Sequence, residues 1–148
     1  MSNIKIVTPD TAETIQLGPV SMHILEDGSR TDNRIGTVLS IIPPHAISLP
    51  QHLHLMHDET FFVTQGTIRF TVNDEEQDVK AGGYVVVPTG AAHTFSNPSD
   101  EPATFLTTFT PAFYVNYFRE LAKIASAGKE ASADEIMRVR GRYATEPA

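Results

Sequence analysis

The 148-residue chain contains no cysteine, which removes disulfides, thiolate zinc sites, iron–sulfur clusters and thiol nucleophiles together. Positive charge is scarce as well: 11 Lys+Arg stand against 18 Asp+Glu, a formal charge of −7. So acidic a chain has no general attraction for phosphate backbones or anionic membranes, and neither nucleic acid nor a membrane is expected as a partner. No apolar run is long enough to span a bilayer. Met1-Ser2-Asn3-Ile4-Lys5 lacks the apolar core of a signal peptide, and the cytoplasm is the expected location. What the sequence does hold is 41% hydrophobic residues, enough to close the core of one domain. It also holds six histidines, three of which (His52, His54 and His57) fall within six residues. With no thiolate available, any metal must be held by imidazole and carboxylate.

The middle of the chain reads as short strands: Val20–Leu25, Thr37–Ile42, Glu59–Gln65, Thr67–Val72, Tyr84–Val87, His93–Asn97 and Ala103–Thr110. Thr, Val, Ile and Phe dominate them, as a pleated and half-buried surface prefers. Turn formers separate them, among them Pro43-Pro44, Gly66, Gly82-Gly83 and Pro88-Thr89-Gly90. The acidic run Asp74-Glu75-Glu76 reads as a solvated hairpin turn. Many short strands with no long helix between them predict an all-β sandwich or barrel. The composition changes after Pro111. Phe113, Tyr117, Leu121 and Ile124 recur at helical spacing in Ala112–Ala127, and Ser132-Ala133-Asp134-Glu135 has the form of a capping box before a second short helix. Residues 1–111 are thus expected to form the barrel domain, with its core at about 20–110, and residues 112–148 a helical extension.

On a strand, residues i and i+2 share a face, so His52 and His54 can point together into a barrel. Glu59 stands at odd spacing from His54, and strict alternation would put it outside. A bend at Met56-His57-Asp58 returns it to the inner face, with Phe61 and Val63 on its side. After the Pro88–Gly90 turn the chain re-enters a strand with His93 near its start. Three imidazoles and one carboxylate from two segments make an N3O set suited to Fe, Mn, Co, Ni, Cu or Zn, with positions left for water, substrate or O2.

The residues carry a family resemblance. His52, His54, Glu59 and Gly66 fit the spacing H-x-H-x4-E-x6-G, and Gly82, Pro88, Gly90, His93 and Asn97 fit G-x5-P-x-G-x2-H-x3-N. At average residue usage, nine such matches arise by chance on the order of 10^-12 per starting position. These resemble the two signature motifs of the cupin superfamily, with Ala46 where the first motif ordinarily opens on glycine. The resemblance implies a jelly-roll β-barrel with a short C-terminal helical tail, and one divalent transition metal per chain on His52, His54, Glu59 and His93. Within the superfamily, the stretch 50–66, the Asn97–Pro102 turn and the helical tail look most similar to quercetin 2,3-dioxygenase-like cupins. That likeness implies a dioxygenase for a small aromatic or enolic substrate, with Glu59 taking a substrate hydroxyl proton and O2 as co-substrate. The alternatives are an O2-independent isomerase, lyase or hydrolase, and a non-catalytic small-molecule binder.

His57, beside Asp58, is expected on the rim of the bend, and His23 and His45 on the surface. Phe61 and Phe95 share strand parity with a ligand and are the candidates for an apolar substrate pocket, against the simpler reading that such rings are core. A homodimer is expected, because a small barrel gains by covering its β edges.

Overall fold

The computed structural model describes residues 3–128 and 132–148. Ten strands precede the helical region: β1 (Glu13–Leu17), β2 (Val20–Glu26), β3 (Gly36–Ile42), β4 (His52–His54), β5 (Asp58–Gln65), β6 (Thr67–Val72), β7 (Glu75–Lys80), β8 (Tyr84–Val87), β9 (Thr94–Ser96) and β10 (Ala103–Thr110). A 3-10 turn (Ala112–Tyr114), α1 (Val115–Ser126), α2 (Ala133–Arg142) and a last strand, β11 (Thr145–Pro147), follow. The strands pair antiparallel into a six-stranded sheet, β1-β2-β3-β10-β5-β8, a three-stranded sheet, β7-β6-β9, and the pair β11-β4. This is the jelly-roll barrel with a short helical tail. No helix among the described residues is long and apolar enough to cross a membrane.

Alternation decides what faces inward. Along β5, Glu59, Phe61 and Val63 are buried in turn, and along β10 so are Ala103, Phe105, Thr107 and Phe109. The inward rings and aliphatics gather into two clusters. One holds Ile42, Phe61, Val63, Ile68, Phe70, Val87, Ala103 and Phe105. The other holds Met22, Ile24, Val38 and Phe109 with Tyr114, Val115, Tyr117 and Val139 from the C-terminal region, which therefore packs on the chain's own barrel.

Three expectations need correction. The acidic run is not all turn: the two-residue loop is Asn73-Asp74, while Glu75 and Glu76 open β7 opposite Val72 and Thr71. The first helical stripe does not run from Ala112, because its opening turn is 3-10 and brings Tyr114 rather than Phe113 into the core. The tail is also not purely helical, since β11 returns to the barrel. The capping box of α2 forms, with Ser132 Oγ accepting from the Glu135 amide and Glu135 accepting from the Ser132 amide.

Two motif positions explain themselves in the backbone. Gly66 sits at φ +73°, and a Cβ there would lie 2.6 Å from the Pro102 carbonyl oxygen, so only glycine fits. Alanine is tolerated at 46 because the left-handed conformation falls one residue earlier, on His45 at φ +60°. Ala46 still bridges to Asn97, whose buried amide donates to the Ile42, Pro43 and Glu101 carbonyls and pins the loops behind the site.

Candidate metal centre

β4 and β5 are separated by a bend at Leu55–Met56, which turns those two side chains outward and brings the chain back in phase with Glu59 inside. The irregularity required by the odd spacing of His54 and Glu59 is therefore present. The second motif docks onto the first through backbone. His52 and His93 exchange both amide-to-carbonyl bonds at 3.1 and 2.9 Å, and the Gly90 amide donates to the His54 carbonyl at 2.7 Å. Rigid backbone thus fixes the separation of the candidate ligands.

The ring nitrogens of His52, His54 and His93 lie within 4.8 Å of one another, and so do the ligating atoms of His54, His57 and Glu59. Glu59 is the hub. Its Oε1 is 3.1 Å from His54 Nε2 and 3.0 Å from His57 Nε2, and its Oε2 is 3.2 Å from His93 Nε2. His54, His57, Glu59 and His93 are all buried, and His52 is the most open of the group.

Outer partners dictate the tautomers. His93 Nδ1 faces the Ala91 carbonyl at 3.0 Å and His52 Nδ1 faces the Pro50 carbonyl at 3.3 Å, so each Nδ1 must carry the proton. His54 Nδ1 faces Thr145 Oγ1 at 2.9 Å, and that hydroxyl donates to the Tyr143 carbonyl at 3.3 Å, leaving it as the acceptor for His54. In all three neutral rings the lone pair is on Nε2 and turned inward. Among the described residues, His54 Nε2 has no hydrogen-bond partner. Lone pairs of imidazole then face an acceptor-only carboxylate, an arrangement that calls for a cation between them. The donor set therefore fits a divalent ion of the transition series.

The titration behaviour follows from this packing. Burial first, then the neighbouring His93 and His54, pull His52 down to about 4. Burial also lowers His54, against the Glu59 carboxylate. For His93 burial is outweighed by the hydrogen bond and charge of Glu59, and the ring is pushed up. Burial opposes ionisation of Glu59, yet His57 and the His54 and His93 rings, which donate from Nε2 only in their protonated form, hold it well below the usual carboxylate range.

His57 is not on the rim. The bend swings it inward until it is 2% exposed, its Nε2–H donating to Glu59 Oε1, while its Nδ1 has no partner among the described residues. Its ring lies 4.4 Å from that of Tyr114, which also packs 4.7 Å from His54. Burial, then the Glu59 charge, push the Tyr114 phenol well above its ordinary value. Tyr114 and Thr145 are the neighbours that sequence reasoning missed; no motif marks them, because a 3-10 turn and a terminal strand deliver them. His23 hydrogen-bonds Thr14 and His45 hydrogen-bonds Asp100, both away from the cluster. Phe61 is 3% exposed, with its ring centroid 6.2 Å from that of His93, and it packs against Phe70, Phe95 and Phe105. Phe95 is half-buried beside it.

Residues 38–109 match the family described as Cupin domain. An uncharacterized protein of Aquifex aeolicus is 34% identical over 62 residues, 42% of this chain and 50% of that protein. The chain thus spans about half the length of the curated relative it matches. Among solved structures, a predicted oxalate decarboxylase from Thermotoga maritima superposes with a TM-score of 0.67 at 20% identity, over 72% of this chain and 99% of that one. A sugar phosphate isomerase from Silicibacter pomeroyi superposes with a TM-score of 0.62 at 26% identity, over 72% of this chain and 75% of that one.

Proposed function

From the premise that this chain is a member of the cupin superfamily, we propose that it is a mononuclear metal-dependent enzyme, and specifically a dioxygenase for a small aromatic or enolic substrate. The observation that carries the reading is the set of three inward Nε2 lone pairs around one buried carboxylate, with every Nδ1 proton committed to an outer acceptor. His52, His54, His93 and Glu59 would hold a divalent transition ion, which would supply Lewis acidity and the redox chemistry with O2.

The chain's own residues have distinct tasks. Glu59 is ionised, so it can accept a proton from a substrate hydroxyl, and its basicity rises as it gives up contacts to the imidazoles. His57 keeps hold of Oε1 from behind and limits how far the carboxylate travels. Substrate approaches on the side of His52, the most open of the cluster, and Phe95, half-buried and packed on Phe61, supplies an apolar ring of the pocket. A homodimer belongs to the same proposal: Phe62, Tyr84 and Val86 are exposed on the outer face of β5 and the edge strand β8.

The test is oxygen consumption by the metal-loaded chain with hydroxylated aromatic and enediol substrates. Stoichiometric O2 uptake with ring or enol cleavage supports the reading, and turnover at the same rate without O2 overturns it. One observation favours a second reading, an O2-independent Lewis-acid reaction on a sugar-like enediol. The isomerase from Silicibacter pomeroyi is 26% identical over 72% of this chain. Anaerobic isomerisation of an aldose or ketose phosphate separates the two.

A further inference from the structure

The three candidate metal-binding rings are not oriented alike. His52 and His93 each give their Nδ1 proton to the main-chain carbonyl two residues earlier, Pro50 and Ala91, so their orientation is built into the motifs. His54 instead uses a side chain 91 residues away, Thr145 Oγ1 at 2.9 Å. That hydroxyl has one proton, spent on the Tyr143 carbonyl, so it can only accept from His54. Thr145 is 4% exposed, so water does not substitute freely for it. It also lies outside residues 38–109, the part of the chain that carries the family match.

Thr145 is brought there by a ladder of its own. Thr145, Glu146 and Pro147 pair with His54, Leu53 and His52. The Leu55 amide donates to Ala144 at 2.9 Å and the Ala148 amide to Gln51 at 3.1 Å, closing both ends. Upstream, Val139 is buried in the core and Tyr143 donates to Glu120 at 2.8 Å.

We propose that residues 143–148 are a latch on the histidine strand. Thr145 is a positioning residue that fixes the His54 tautomer, and docking of the latch and binding of a divalent ion reinforce each other. The inference rests on the metal reading of the site. Loss of an outer hydrogen bond to a ligating histidine ordinarily costs about 10–100-fold in metal affinity. By linkage, whatever factor the docked latch adds to affinity, the ion adds to docking.

The experiment uses the full chain and Co2+ as the probe. Wild type, Thr145→Val, which keeps the shape but loses the acceptor, and Thr145→Ser, which keeps the hydroxyl, are titrated by visible absorption. Thr145→Val is expected to bind about 10–100-fold more weakly with an unchanged far-ultraviolet spectrum, and Thr145→Ser to recover to within about threefold. Imidazole 15N shifts should show His54 protonated on Nδ1 in wild type and mixed in Thr145→Val. Hydrogen exchange at the Leu55 and Ala148 amides should slow on adding Co2+. Wild-type affinity in Thr145→Val, or exchange at those amides indifferent to Co2+, overturns the latch. The exchange measurement stands on wild type alone if the valine variant does not fold. A wild type that takes up no Co2+ overturns the metal reading and the coupling with it; the 15N tautomer of His54 then still decides whether Thr145 positions the ring.

Discussion

The apolar cluster around Phe105 draws every buried member from residues 42–105, whereas the cluster around Phe109 takes Tyr114, Val115, Tyr117 and Val139 from beyond β10. The buried histidines and Glu59 lie between them, with His93 near Phe61 on one side and His57 against Tyr114 on the other. The first cluster closes within residues 38–109, the segment that matches the Cupin domain, and the second does not. One flank of the site is therefore as rigid as the barrel, and the other is as firm as the docking of the C-terminal segment.

Four changes probe that contrast, in falling order of effect. The His52→Ala/His54→Ala double variant should lose an otherwise stoichiometric divalent ion while both clusters stay folded, as read by elemental analysis and near-ultraviolet dichroism. Retained metal would put the site elsewhere. Phe105→Ala should cost about 3–5 kcal/mol in chemical denaturation and unfold the barrel as a unit. Val139→Ala, which removes two buried methyl groups from the other cluster, should cost about 2 kcal/mol and lower metal occupancy of the folded protein. Equal metal loss in the two core variants would erase the distinction between the flanks. Arg69→Ala, which breaks a largely exposed pair with Asp78, should change stability by less than about 1 kcal/mol and leave metal binding alone.

The titrations add a test of a different kind. In the metal-free chain His52 stands at about 4 against an ordinary 6.5, so burial favours its neutral form. The stability this confers is complete above about pH 6.5 and is lost as pH falls toward 4. His93 runs the other way: its value is raised by Glu59, so its contribution is present below about 6.5 and fades as pH rises through the raised value. Proton NMR of the metal-free chain should therefore show His93 titrating above His52. The reverse order would remove Glu59 from contact with His93.

Much of this was legible in the sequence, for reasons that particular residues make clear. Alternation in β5 reports burial directly, so Phe61 and Val63 could be placed on the side of Glu59 by parity. The clash between that parity and the Glu59 spacing called for a bend between His54 and Glu59; it was expected at Met56-His57-Asp58 and lies at Leu55–Met56. What failed was whatever depended on the bend's shape or on distant chain. His57 looked peripheral because a bend's inner and outer residues cannot be told apart by counting. Tyr114 escaped because one 3-10 turn shifts the helical phase by a fraction of a turn, and Thr145 because a single threonine in a polar terminus carries no periodic signal. Ala46 kept its place without glycine because His45 takes the left-handed position.

The short strand β11 also bears on how copies of this chain meet one another. A three-residue strand carrying two histidines, bounded by a bend, has an exposed ladder of amides and carbonyls unless something pairs with it. β11 fills that ladder and passes the free edge to itself, where the outward residues are Glu146 and Pro147. Charge and proline are poor templates for a neighbouring strand, so Thr145–Pro147 shield the histidine strand from pairing with other molecules.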